Sequence, residues 1–149
     1  MISQTVEYAL RAMVVLAQNP DSPQTAQSIA ATAKLPTDYL LKVMQSLGRA
    51  GLVNAQRGKH GGFTLARAAD AITILDVLNS VDPIQRIHRC PLGLKSHGTR
   101  LCALHRRLDS ALAMVEDAFS STTLSDILDS PGPVQPLCES MVHLHAKAN

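Results

Sequence analysis

Apolar side chains recur three and four positions apart from the start of the chain. Val6, Ala9, Leu10, Met13, Val14 and Ala17 predict an amphipathic helix over residues 4–18, ended by Asn19-Pro20. After the polar turn Asp21-Ser22-Pro23, the set Ala26, Ile29, Ala30 and Ala33 predicts a second helix of two turns, with Thr25 as its cap. Lys34-Leu35-Pro36 breaks that pattern. A third helix then opens near Thr37-Asp38 and buries Leu40, Val43, Met44 and Leu47, with Gly48 weakening its last turn and Gly51 ending it. The next signal has a different period: Leu52 to Ala55 and Phe63 to Leu65 read as strands flanking residues 56–62, a hairpin with a basic, glycine-rich tip. A helix over residues 72–81 follows, stopped by Asp82-Pro83, and then an aperiodic loop to about residue 100. The longest periodic run is Leu101, Leu104, Leu108, Ala111, Leu112, Val115, Ala118 and Phe119, with Arg106, Arg107, Asp109, Glu116 and Asp117 on the opposite, solvated face. Residues 124–128 predict a short helix capped by Thr123 or Ser125, and Ser130-Pro131-Gly132-Pro133 opens an irregular tail.

Two helices joined by about three residues, the second with a polar outward face, form a helix-turn-helix; the hairpin after it makes the unit winged. The fold class expected is therefore mainly α: a winged helix-turn-helix with a small β-hairpin wing and a long C-terminal helix. Its divisions are a head over 1–82, a cysteine-bearing loop over 83–100, a long helix with its short follower over 101–129, and a tail over 130–149. An apolar stripe of five turns exceeds what a head of about 80 residues can cover, so Leu104, Leu108, Ala111, Leu112, Val115 and Phe119 are expected to meet a second copy of the chain.

Composition narrows the function. Aromatic residues are only 3% of the 149, with no Trp, which favours a Leu, Val, Ile, Ala and Met core of helices over a sandwich. No apolar run reaches the roughly 20 residues of a membrane helix and no leader is evident at the start, so a soluble, cytoplasmic protein without a membrane partner is expected. Residues 1–69 hold seven Lys/Arg against three acids, while the remainder has seven against nine, which points the N-terminal half at a polyanion. On the third helix Lys42, Gln45 and Arg49 share one side, where amide and forked cationic groups read base edges in a major groove. Arg57, Lys59 and His60 on the wing suit backbone or minor-groove contact. Tyr39, at the start of the third helix, has two places open to it, against a phosphate or against the first helix. An enzyme is not indicated: no phosphate-cradling glycine loop, Ser-His-acid arrangement or paired carboxylates on an apolar groove is present.

The chain resembles the Rrf-two family of winged helix-turn-helix transcriptional regulators, the IscR- and NsrR-like proteins. The residues that carry the likeness are Glu7 to Arg11, Pro36 to Leu40, and above all Leu47-Gly48-Arg49-Ala50-Gly51-Leu52-Val53 running into Arg57 to Ala66, followed by a cysteine-bearing loop and a long helix. The resemblance implies a homodimer, paired through the long helices, that binds double-stranded DNA at a dyad-symmetric operator and represses or activates transcription; a repressor is the expectation taken forward.

Three cysteines, Cys90, Cys102 and Cys138, are an odd number that argues against a secreted disulfide framework. In the cluster-binding relatives the loop carries three cysteines at intervals of six and a histidine three residues on. Here Cys90, Cys102 and His105 match, and Ser96 stands at the middle position. Serine must lose a proton of far higher pKa than a thiol to ligate iron, so the substitution challenges the cluster. Three readings stay open. An iron-sulfur cluster, of the 2Fe-2S kind, is held by Cys90, Cys102 and His105 with a fourth ligand from His97, Ser96 or Glu7 of a second copy. Alternatively, zinc is bound by Cys90, His97, Cys102 and His105. Or no metal is bound, Cys102 packs near the long helix, and Cys90 is a loop thiol or reversible disulfide partner in a cluster-free regulator or protein-interaction module. Cys138 matches no family position.

Overall fold

The computed structural model describes residues 2–98 and 100–137. Cys138 and the end of the expected tail lie outside the described residues. Six α-helices and one hairpin run in the order α1 (Gln4–Gln18), α2 (Ala26–Ala33), α3 (Thr37–Arg49), β1 (Val53–Gln56), β2 (Gly62–Leu65), α4 (Ile74–Val81), α5 (Ala103–Ser120) and α6 (Leu124–Leu128). The first helix begins where Ser3 accepts the Val6 N–H, and Asn19 ends it by donating its own N–H to the Leu16 carbonyl. Ala9, Ala12, Met13, Val15 and Leu16 are buried along it, and α2, α3, α4 and α6 all pack on that surface.

Thr25 caps α2 by accepting the Ser28 N–H at 3.1 Å. Lys34 then turns the chain with φ of 55°, donating its N–H to the end of the helix. The α2–α3 turn is Lys34-Leu35-Pro36, with Leu35 buried beneath it. That burial fixes the two helices as a unit, and α3 drops Leu40, Val43, Met44 and Leu47 into the core.

The hairpin is antiparallel, pairing Val53 with Leu65 and Gln56 with Gly62. It does not stand free: Gln24, just before α2, exchanges both backbone bonds with Phe63 at 2.9 and 2.8 Å. The wing is thereby tied to the helix-turn-helix through a third, one-residue strand.

Two expectations are corrected beyond the hairpin. Helix α4 starts at Ile74 rather than at residue 72, because Thr73 and Asp76 close a reciprocal capping box there. Ile72 is instead extended and buried, and its carbonyl accepts the Leu124 N–H at 2.9 Å. The loop after α4 is also not wholly irregular, since Lys95–His97 forms a single 3₁₀ turn.

Helix α5 has eighteen residues and, although amphipathic, buries none of them. Its end is nonetheless joined firmly to the head. Ile74 donates to the Thr122 carbonyl, Thr73 bridges Thr123, and Leu124 is fully buried in the core of the head. Thr123 caps α6 with Asp126 in a second capping box. The described part of the tail returns to α1, where the Gln18 amide donates to the Pro136 carbonyl at 2.8 Å.

The wing's attachment depends on Gly62. Its φ is +149°, and a Cβ there would lie 2.6 Å from the Gln24 carbonyl oxygen. Gly62→Ala is expected to destabilise the fold by about 1–3 kcal/mol, whereas Gly48→Ala, whose Cβ would meet only Val53 at 3.9 Å, should raise stability by up to about 1 kcal/mol. Urea unfolding of both variants checks the opposite signs.

Candidate nucleic-acid interface and cysteine loop

Lys42, Gln45 and Arg49 are exposed on the side of α3 opposite its buried row, as their spacing requires. The adjoining Leu41 is 47% exposed, an apolar residue on a face otherwise built for polar contact. It lines an open trough of about 430 Å³ between α3 and the wing, with Lys42, Gln45, Val53, Ala55 and Phe63. Apolar contact with thymine methyls is the use such a residue finds in a major groove. Sequence reading missed Leu41; an apolar residue on the polar side of the α3 pattern was the available signal.

Arg57, Lys59 and His60 are exposed on the wing tip. The tip closes through the Gly61 N–H to the Gly58 carbonyl at 3.0 Å, with Gly58 at φ of 111°. Such a φ costs least at glycine, which lets the chain turn here with Arg57 and Lys59 left exposed. Tyr39 packs against the first helix while remaining partly exposed at the start of α3. Its ring meets Tyr8 edge-on at 5.3 Å, and its hydroxyl is hydrogen-bonded to Thr5 on α1. Arg11 lies 5.7 Å over the other tyrosine ring and reaches the Ala33 carbonyl, so this aromatic pair joins α1, α2 and α3.

The cysteine loop is built as two separate dyads. Cys90 Sγ lies 3.3 Å from His97 Nδ1, and Cys102 Sγ lies 3.4 Å from His105 Nδ1. Backbone N–H groups of Leu94 and then Leu92, followed by His97, hold the Cys90 thiol below its usual pKa against the opposing effect of burial. Cys102 sits at the N-terminus of α5, and both thiols are half-buried.

A 2Fe-2S cluster requires thiolate or imidazole ligands converging on one point. Among the described residues no three His, Cys, Asp or Glu side chains come together as a metal site. Ser96 is exposed on the 3₁₀ turn, and Glu7 is paired with Arg11 at 2.7 Å.

A second group in this region was not foreseen. Arg86 grips Asp109 through two parallel bonds, Nε to Oδ1 at 2.7 Å and Nη2 to Oδ2 at 2.8 Å, and reaches Glu116 with Nη1 at 2.7 Å. The Ile87 N–H adds a bond to Asp109 at 2.9 Å. Asp109 and Glu116, expected on a solvated face, therefore clamp the loop to α5. Their positions seven apart put both carboxylates on one side of the helix, but Arg86 is distant in sequence and left no local signal.

The remaining side of α5 is uncovered. Leu104, Leu108 and Met114 are 63%, 47% and 72% exposed, and Ala111 and Val115 are exposed beside them. Met114 is an addition to the expected row. Leu112 and Phe119 turn partly inward and, with Val115, line a groove of about 440 Å³ against Ile2, Val6, Leu78 and Ile84.

With a helix-turn-helix, a tethered basic wing and a long uncovered helix in one chain, comparison with known proteins is decisive. The Rrf2 family model, described as an iron-dependent transcriptional regulator, matches residues 2–130. The chain belongs to the Rrf2 family of transcriptional regulators. A putative HTH-type transcriptional regulator of Aquifex aeolicus is 32% identical over 132 residues, spanning 87% of this chain and 92% of that one. Among solved structures, CymR, the global cysteine regulator of B. subtilis, superposes with a TM-score of 0.73 at 28% identity, over 89% of this chain and 98% of that one. T. potens IscR gives 0.72 at 26% identity, over 86% and 85%. These relatives establish the mainly helical winged fold of this Rrf2 protein and its class as a transcriptional regulator. No helix among the described residues is long and apolar enough to cross a membrane.

The clamp has a pH signature. Arg86, and secondarily the Ile87 N–H, lower the Asp109 pKa to about 2. A carboxylate depressed on folding contributes fully above its unfolded pKa, near 3.9, and the contribution disappears as pH falls through the folded value. Asp109→Asn should therefore remove part of the stability that the wild type loses between about pH 4 and pH 2. Unfolding followed across that window in both proteins checks it; superimposable acid profiles would contradict the clamp.

Proposed function

We propose that this Rrf2 regulator acts as a homodimer on a dyad-symmetric operator in double-stranded DNA. The uncovered face of α5 carries the dimer half of the reading. Leu104, Leu108, Ala111, Met114 and Val115 form an apolar row on a helix about 27 Å long, and fully burying each large side chain contributes on the order of 1.5–3 kcal/mol. A second α5 is an occupant of matching shape and chemistry.

Each head then presents α3 to a major groove. Lys42, Gln45 and Arg49 face the base edges, with Leu41 against thymine methyls, while Arg57, Lys59 and His60 lie along the backbone or minor groove. Tyr39 supports this surface from behind by fixing the start of α3 to α1. A dimer spaces its two half-sites about one helical turn apart or a small variation on it. Occupying such a site obstructs transcription without any further contact, so repression is the simplest mode of action. The signal is read at the loop from Cys90 to His105, because Arg86 fastens that loop to the helix that sets the spacing of the heads.

Arg57→Ala with Lys59→Ala should weaken operator binding and flatten its salt dependence, lowering the slope of log K against log salt by about 3–4 for a dimer. Fluorescence anisotropy between low and physiological salt measures this, and an unchanged slope would remove the wing from the interface. Leu108→Asp with Met114→Asp should give a folded monomer by sedimentation whose operator affinity falls by about 100-fold or more, as expected when two linked half-sites are separated. A dimer that survives the double substitution would refute the α5 interface.

A further inference from the structure

The exposed side of α3 carries two rows of residues. Leu41, Gln45 and Gly48 line the trough beside the wing, while Tyr39, Lys42 and Ser46, three and four positions apart, run along the other flank toward the first turn of α1. That second flank holds a hollow of about 140 Å³ lined by Thr5, Tyr39, Lys42, Val43, Ser46 and Val81. We propose that this hollow seats one phosphate of the DNA backbone, on the strand across the major groove from the wing, through the hydroxyls of Thr5, Tyr39 and Ser46 with Lys42 at its rim. The proposal deepens the operator-binding reading above and rests on it.

The donors are the first support. The Thr5 and Tyr39 hydroxyls are hydrogen-bonded to each other, which uses one of their two protons and leaves the other for an outside acceptor. Among the described residues the Ser46 hydroxyl has no hydrogen-bond partner and Lys42 no carboxylate. No acid lines the hollow to repel an anion. Hydroxyls of Ser, Thr and Tyr, together with lysine, are common partners of backbone phosphates, where they fix the register of a protein on its duplex.

Position is the second. An α-helix with its side chains is about 10–12 Å across, close to the roughly 12 Å width of the major groove, so both flanks of an inserted helix come up against a backbone. The wing stands on one flank of α3 and the hollow on the other. Lys42 lines both the trough and the hollow, and so marks the boundary between the side that reads bases and the side that meets the far strand.

The third support is preorganisation. Thr5, Tyr39 and Ser46 are half-buried at the junction of α1 and α3, Val43 and Val81 supply apolar walls, and the Tyr39 ring is fixed edge-on against Tyr8 at 5.3 Å. Three short or rigid donors held in this way lose little freedom on meeting a phosphate, unlike the long cations of the wing tip.

The test uses the full chain and a duplex that it enriches from a random pool. Single methylphosphonate linkages, each replacing a charged phosphate oxygen by a methyl group, are placed in turn along one half-site. One linkage on the strand across the groove from the wing is expected to lower wild-type affinity about tenfold, the loss of charge-assisted hydrogen bonds at a single seat. Thr5→Val with Ser46→Ala should bind the unmodified duplex about 100-fold more weakly, because both half-sites are affected. Its salt dependence should stay as in the wild type, since no cation is removed. It should also be indifferent to the sensitive linkage while still responding to linkages beside Arg57 and Lys59. Ser46→Ala alone, a change that favours the helix, should melt as the wild type does or higher and carry part of the loss. Variants that bind as the wild type does, or that stay fully sensitive to that linkage, would overturn the proposal. So would binding of inorganic phosphate at micromolar concentration without DNA and lost in Ser46→Ala, since the hollow would then serve a free anion. Failure of the wild type to enrich any duplex would defeat the operator reading and this proposal together. An enriched duplex indifferent to every methylphosphonate on that strand would defeat the hollow alone.

Discussion

One helix serves as the wall for the rest of the head. Ala9, Ala12, Met13, Val15 and Leu16 of α1 are buried, and α2, α3, α4 and α6 each seal part of that surface. Small residues at Ala9 and Ala12 allow neighbouring helices to approach closely, while Met13 and Leu16 fill the gaps between them. The direction of α3, and with it the side chains offered to DNA, follows from this packing. The Tyr8–Tyr39 contact and the Arg11 bond to Ala33 add polar and aromatic points that fix α3 and the end of α2 against the wall. A change at Tyr39 therefore alters the aim of Lys42, Gln45 and Arg49 even where the tyrosine touches no phosphate.

The regulatory half has a different physical basis. The cysteine loop contributes no residue to the core of the head, and it is held by charge-assisted hydrogen bonds rather than by apolar packing. Such an attachment is directional and has few alternatives, because Asp109 and Glu116 are both partners of one guanidinium. Cys90 lies four residues from Arg86, on a segment whose base is fixed to α5.

The elements with strong periodicity were legible in the sequence. The three-and-four spacing of Val6 to Ala17 and of Leu40 to Leu47 located α1 and α3, and Thr25 was readable as a cap because its chemistry is local, while the cap of α6 was narrowed only to Thr123 or Ser125. What could not be read depends on partners far apart in the chain. Gln24 pairs with Phe63 through backbone atoms, which any residue possesses, so no side-chain pattern announces the tether of the wing. Arg86 looked like one more loop cation, and Asp109 and Glu116 like ordinary surface acids, until folding brought them together. Ile72 was apolar enough to be read as helix, but its burial comes from an extended position beneath Leu124. The residues proposed to face DNA stood out by contrast, because polar side chains opposite a buried row are readable from their spacing. At the cysteine loop the residue spacing was visible, but the separation into two dyads was a matter of three-dimensional placement.

The stitching of α5 to the head has a consequence for how operators are selected. Thr122, Thr123 and Leu124 lock the end of the long helix into the sheet-like bridge and core beneath α4, so arm and head turn together as one solid piece. In the proposed dimer the two reading helices then behave like the jaws of a caliper set to a single gap. Inserting one base pair between half-sites shifts the second by about 3.4 Å and turns it by about 35° around the DNA axis. A caliper with no hinge cannot follow that rotation, so the distance between half-sites becomes as much a part of the recognised message as the bases within them.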